Sequence, residues 1–102
     1  MLELRPNCEL CDKDLPPGAA DAMICSYECT FCADCVDHVL HNVCPNCGGG
    51  FVPRPVRPTR NWRPEAGLAF DAPGTRRRYT KYSREQLAAF SAGIEAIPAA
   101  ER

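Results

Sequence analysis

Glu28-Cys29-Thr30-Phe31-Cys32-Ala33-Asp34-Cys35 packs three cysteines into eight residues, and Cys25 stands just ahead of them. This stretch holds two close pairs, Cys25-x3-Cys29 and Cys32-x2-Cys35. Two more pairs flank it, Cys8-x2-Cys11 and Cys44-x2-Cys47. A pair this tight lets two thiolates converge on one cation, and four pairs supply the eight ligands of two tetrahedral zinc sites. The chain has 102 residues, and all eight cysteines lie in its first half. A folded unit of roughly 50 residues is too small to stand on apolar burial alone. Metal ligation supplies folding free energy in such units.

The same cysteine density also fits a disulfide-stapled secreted scaffold. The opening Met1-Leu2-Glu3-Leu4-Arg5-Pro6 lacks a basic stretch followed by an apolar run, so no signal peptide is expected. A cytoplasmic, reducing location is therefore expected, and it favours metal over disulfide. No apolar run approaches the length of a membrane span, and no membrane partner is expected.

Four pairs can share two metals in sequence or crosswise. Only two residues separate Cys29 from Cys32. In extended chain, neighbouring ligands can point apart. The crosswise arrangement uses this: Cys8, Cys11, Cys32 and Cys35 are assigned to a first zinc, and Cys25, Cys29, Cys44 and Cys47 to a second. With all eight thiolates used, neither site keeps the open position that catalytic zinc needs.

Around the cysteines, residues 1–50 read as a small metal-stabilised α+β module. Ala22-Met23-Ile24-Cys25 and Glu28-Cys29-Thr30-Phe31 predict a hairpin turning at Ser26-Tyr27. Asp34 to Asn42 predicts a helix, because Val36, Val39, Leu40 and Val43 form one apolar stripe. His38 and His41 are expected on its solvent side. Gly48-Gly49-Gly50 closes the module in turns. Residues 51–82 form an Arg/Pro-rich linker, its prolines leaving only extended or polyproline II chain. Residues 83–97 predict an amphipathic helix capped by Ser83 and Gln86, with Leu87, Phe90, Ile94 and Ile97 as its apolar face. Residues 98–102 are a short tail.

Charge is split along the chain. Residues 1–53 carry eight Asp and Glu against Arg5 and Lys13, a net of −6; residues 54–102 carry a net of +5. Each Zn(Cys)4 centre would add about −2 to the acidic half. That half repels polyanions, and it can attract a basic partner or its own basic tail.

The spacing C-x2-C-x13-C-x3-C-x2-C-x2-C-x8-C-x2-C resembles the cross-brace of RING-type and treble-clef zinc domains. Cys29 stands where their fourth ligand is usually His, and Cys44-Pro45-Asn46-Cys47 is similar to their terminal Cys-Pro-x-Cys. The stretch from Leu2-Glu3-Leu4-Arg5-Pro6-Asn7-Cys8 through Cys44-Pro45-Asn46-Cys47-Gly48-Gly49 also resembles a family of short bacterial proteins known as domain of unknown function 1272. That second resemblance implies no activity. The first implies docking of a ubiquitin-conjugating enzyme through Leu10, a helix aromatic and Pro45. Here the helix offers only Val36, Val39 and Leu40, and Gly48 replaces the basic residue often found after the last ligand.

No Ser/His/Asp grouping, phosphate loop or paired carboxylates appear, so no catalytic residue is expected. The expected role is a non-enzymatic interaction module with a protein partner. Three alternatives remain. A RING-type ubiquitin-ligase adaptor follows from the resemblance. Nucleic-acid binding would use Arg76-Arg77-Arg78, Lys81 and Arg84 interleaved with Tyr79 and Tyr82. An iron–sulfur protein is suggested by Cys29-x2-Cys32-x2-Cys35 and the later Cys44-Pro45.

Overall fold

Strand β1, Ala22–Ile24, lies at the centre of a small sheet in the computed structural model, which describes all of residues 1–102. Strand β2, Thr30–Cys32, pairs with it antiparallel, placing Ala22 opposite Cys32 and Ile24 opposite Thr30. The predicted hairpin forms, its second strand beginning at Thr30 and not at Glu28. Cys25 and Cys29 leave the ladder and are joined by the bond from Cys25 N–H to Cys29 C=O (3.2 Å). Glu28, at φ 68°, makes the reversal. The shift frees both cysteines from the flat sheet, so their sulfurs can leave on one side.

The other edge of the sheet is β3, Val52–Pro53, antiparallel to β1. Proline cannot sit in a central strand but is tolerated at an edge. Residues 51–54 are thus the extended chain that their prolines imply, recruited as an edge. Phe51 leads in and meets Phe31 edge-to-face, with ring centroids 5.5 Å apart. Phe31 is fully buried at the centre of a core made of Leu15, Val36, Leu40, Leu87 and six of the eight cysteines.

Directly after β2 the chain turns helical. Helix α1, Ala33–Cys35, continues as a π-helical turn over Val36–Leu40. It starts one residue before the predicted Asp34 and stops two residues before Asn42. His41 and Asn42 both adopt left-handed conformations, φ 50° and 58°, which end a helix. Val36, Leu40 and Val43 are buried as the stripe implies, and His38 and His41 are exposed. The early stop lets Val43-Cys44 return beneath the helix.

Helix α2, Arg84–Ala92, carries the predicted capping box. Ser83 Oγ accepts from Gln86 N–H, and the Gln86 side chain accepts from Ser83 N–H. It is shorter than the predicted 83–97 because Gly93 caps it, and a 3-10 turn, Ala99–Glu101, follows. The predicted apolar face is therefore broken. Leu87 is 2% exposed against the π-helical turn, whereas Phe90 is 43% and Ile97 39% exposed. Ser91, four residues after Leu87, completes the buried side.

Residues 51–82 do not run free in solvent as a plain linker would. Arg54 is only 4% exposed, and its guanidinium donates to the carbonyls of Arg5 (2.8 Å), Leu15 (3.1 Å) and Pro16 (3.0 Å). Burial holds its pKa below the ordinary 12.5. One turn of extended chain later, Arg57 donates to the carbonyls of Leu2 and Asp71. The planar five-donor fork of arginine suits such carbonyl clusters, whereas a lysine ammonium does not span them. Replacing Arg54 by Met is expected to destabilise the chain by about 2–3 kcal/mol, because buried carbonyls lose a charged donor. Arg54→Lys should recover only part of that loss. Chemical denaturation followed by circular dichroism, with both variants beside the parent chain, measures it.

Candidate metal centre

The first and last cysteine pairs fold into the same local structure. In Cys8-x2-Cys11 the N–H of Asp12 donates back to Cys8 C=O (3.0 Å), and in Cys44-x2-Cys47 the N–H of Gly48 donates to Cys44 C=O (2.7 Å). Both following residues are left-handed, Asp12 at φ 64° and Gly48 at φ 79°. Each loop also points a backbone N–H at sulfur: Cys11 N–H at Cys8 Sγ (3.5 Å) and Gly49 N–H at Cys47 Sγ (3.4 Å). Such donors stabilise a thiolate. Gly48 was legible as a turn residue; Asp12 was not, since its left-handed backbone comes from the loop closing around sulfur.

The sulfurs of Cys8, Cys11, Cys32 and Cys35 all lie within 4.8 Å of one another. Two come from the loop after Asn7, one from the end of β2 and one from α1. Cys11 Sγ and Cys32 Sγ are 3.7 Å apart. A tetrahedral zinc–sulfur bond of about 2.3 Å implies a sulfur–sulfur edge of about 3.8 Å, so this donor set fits a zinc ion. Cys8, Cys32 and Cys35 are buried and Cys11 is exposed.

The sulfurs of Cys25, Cys44 and Cys47 form a second set within the same 4.8 Å limit, and Cys29 falls outside it. Cys29 still borders the set. Its thiol is held near pKa 5 by the neighbouring Cys44 thiol and by Asn46 Nδ2, which donates to Cys29 Sγ at 3.4 Å. Burial pushes the Cys25 thiol up to about 11. Cys44 is pushed up most, by its contact with Cys29. One negative sulfur thus suppresses ionisation of its neighbours, and a cation is the group that would let all of them ionise together.

Charged side chains brace these loops. Glu9 is buried beside Cys8 and accepts from Thr30 N–H (2.5 Å) and Arg5 Nη1 (2.9 Å), joining the first loop to β2. Asn7 is fully buried and donates to Cys8 C=O, Asp12 Oδ1 and Arg78 C=O, while its Oδ1 accepts from Arg78 N–H. Arg77 grips Asp12 and Asp14 (2.6 and 2.7 Å), so the basic tail lies on the acidic first loop. Arg5 binds Glu3 and Glu9, and its pKa is raised despite burial. Lys13 pairs with Asp21. Asn7, Asn46, Arg5 and Glu9 were missed as site residues by sequence reasoning. The only signal was a polar residue beside or within each Cys-x2-Cys pair.

Residues 1–57 match the family described as "Protein of unknown function (DUF1272)". The chain belongs to that family. The matched region holds all eight cysteines, β1 to β3 and Arg54. The chain is also similar to "Uncharacterized protein R02474" of Rhizobium meliloti (strain 1021), 67% identical over 58 residues, which covers 57% of this chain and 69% of that protein. No solved structure matches the chain. No helix is long and apolar enough to cross a membrane.

Glu3 gives a pH test of the bracing. Hydrogen bonds from Arg5, with added attraction from Arg78, hold its carboxyl below the ordinary 4.5 despite some burial. The folded pKa is therefore below the unfolded one, so the unfolded chain binds more protons in that range. The contribution of Glu3 is fully present above about pH 4.5 and fades as pH falls through the folded value. Glu3→Gln should lower stability at pH 6 and have progressively less effect below 4.5. Urea midpoints of the two chains across that range check the sign.

Proposed function

We propose that this chain is a non-enzymatic two-zinc module with a RING-like cross-brace, whose role is to present a rigid surface to a protein partner. Cys8, Cys11, Cys32 and Cys35 hold one ion. Cys25, Cys29, Cys44 and Cys47 hold the other, with Cys29 moving in to complete its tetrahedron. The observation that carries this reading is the convergence of four sulfurs from two separate segments, residues 8–11 and 32–35, at zinc-like spacing. Bound zinc would supply only cross-linking of the fold, because four thiolates leave no position open to substrate.

Particular contacts weigh against the rival readings. Pro45, which the RING resemblance assigns to a conjugating enzyme, is buried and walled by Tyr82, Gln86, Leu87 and Phe90 around a cleft of 190 Å³. An arriving enzyme would have to displace α2. For nucleic acid, Arg77 and Arg78 are already engaged by Asp12, Asp14 and Glu3, which leaves Arg76 as the uncommitted member of that triplet. An iron–sulfur cluster needs the same thiolates, and metal analysis separates the two.

Native mass spectrometry of the reduced, freshly purified chain should find about two zinc ions per chain and no iron. A strong chelator should abolish the hairpin and core, seen as loss of circular dichroism, and added zinc should restore them. A metal-free chain that keeps its structure, or one that carries iron and absorbs visible light, would overturn the proposal.

A further inference from the structure

The two cysteine clusters differ in what closes over them. The first is braced by residues 5–9, by β2 and by the segment that carries Arg77, Arg78 and Thr80. Thr80 N–H donates to Glu9 C=O at 2.6 Å. Each cluster has one exposed cysteine, Cys11 and Cys47, but the loop of the second is covered by the C-terminal end of the chain. Gly48 lies beneath Ile94 and Phe90: a Cβ there would meet Ile94 Cδ1 at 3.7 Å and Phe90 Cζ at 3.9 Å. A Cβ on Gly50 would come within 3.0 Å of the Ala99 methyl. Arg102 reaches over the same loop, its Nη1 donating to the carbonyls of Gly48 (3.1 Å) and Asn42 (2.7 Å). Its Nε is held by Ile97 C=O, so the guanidinium is oriented from behind. His41 Nδ1 and Glu95 Oε2, 3.9 Å apart, add a contact on the flank.

We propose that residues 90–102 are a latch on the second cysteine cluster: a metal ion held there and the docked latch stabilise each other, and the first cluster is independent of both. The proposal rests on the two-metal reading above. Its physical basis is reciprocity. Arg102 and Ile94 recognise the loop Cys44–Gly50 in one folded shape, the same shape that brings Cys44 and Cys47 beside Cys25. Whatever raises the population of that shape from one side raises affinity on the other by the same factor. Cys29, which stands outside the sulfur set, makes this cluster the one in which closure must be completed on binding. Leu87 is a poor probe because it belongs to the shared core. Arg102 is a good one, since its side chain bonds only to the carbonyls of Asn42, Gly48 and Ile97.

The test uses the full zinc-loaded chain, with Arg102→Ala and Ile94→Ser as independent variants. Each is exposed to a zinc chelator and iodoacetamide, and alkylation of every cysteine is timed by peptide mass spectrometry. Cys44 and Cys47 should react at least about fivefold faster in both variants, the low end of typical coupling between sites. Cys8, Cys11 and Cys32 should keep the parent rate. In the reverse direction, Cys25→Ser should speed amide hydrogen exchange across residues 93–102 while Cys8 and Cys32 stay protected from alkylation. Unchanged rates at Cys44 and Cys47, or equal acceleration at all eight cysteines, overturns the latch. Metal content measured beforehand separates this failure from failure of the zinc reading itself.

Discussion

Two residues, Thr30 and Phe31, lie between the sulfur of Cys29 and that of Cys32, and the rest of the module is arranged around that short link. Cys32 is the last residue of β2, whereas Cys29 precedes the strand and lies in the turn that begins at Glu28, so the two sulfurs are carried by backbone of different course. Cys32 therefore joins Cys8, Cys11 and Cys35, while Cys29 stays near Cys25 and Cys44. Phe31 between them has no exposed surface and fixes the link against Phe51. The core is consequently built of sulfur as much as of hydrocarbon. Each cysteine that fills a core position is also one that a cation would tie to a distant segment, which is how so few apolar residues can hold a fold.

Such a core must offset crowded thiols. Without a cation, the thiols resist ionising together: Cys35 is raised mainly by burial and Cys44 mainly by Cys29. With one, the region turns strongly negative. The placement of arginine answers both conditions. Arg5 sits near Cys29 and between two glutamates, Arg77 lies on Asp12 and Asp14, and Arg54 runs inward to three carbonyls. The charge split along the chain is thus an intramolecular fit. The basic second half lies on the acidic first half, the simpler of the two uses that its composition allowed.

Much of this is legible in the sequence, for local reasons. The hairpin follows from two short runs on either side of Ser26-Tyr27, the helix after Cys35 from its apolar stripe, and the start of α2 from Ser83 and Gln86. The turn at Gly48 follows from glycine. What was not legible is non-local. No pattern marks Arg54 as buried, because its partners are backbone carbonyls far away in sequence. The edge strand at Val52–Pro53 was hidden behind prolines that exclude only a central position. The helix at Leu40 ends early because His41 and Asn42 turn left-handed, which neither residue demands. Ile97 was read as part of a helical face, yet Gly93 ended the helix first and let the chain bend back over Gly48.

That bend lies outside the stretch that matches the family. The matched region, 1–57, contains the cysteines, the sheet and Arg54, and it ends before α2. The cover over Cys44–Gly50 is drawn from residues 90–102 and contacts mainly backbone carbonyls and glycines. Contacts of that kind depend on the shape of the loop, and hardly at all on its side chains. A cover that reads loop shape responds to whatever sets that shape. At Cys44-x2-Cys47 the shape is set by where two sulfurs are held, so the C-terminal end of this chain is placed to sense the state of one cysteine cluster and not the other.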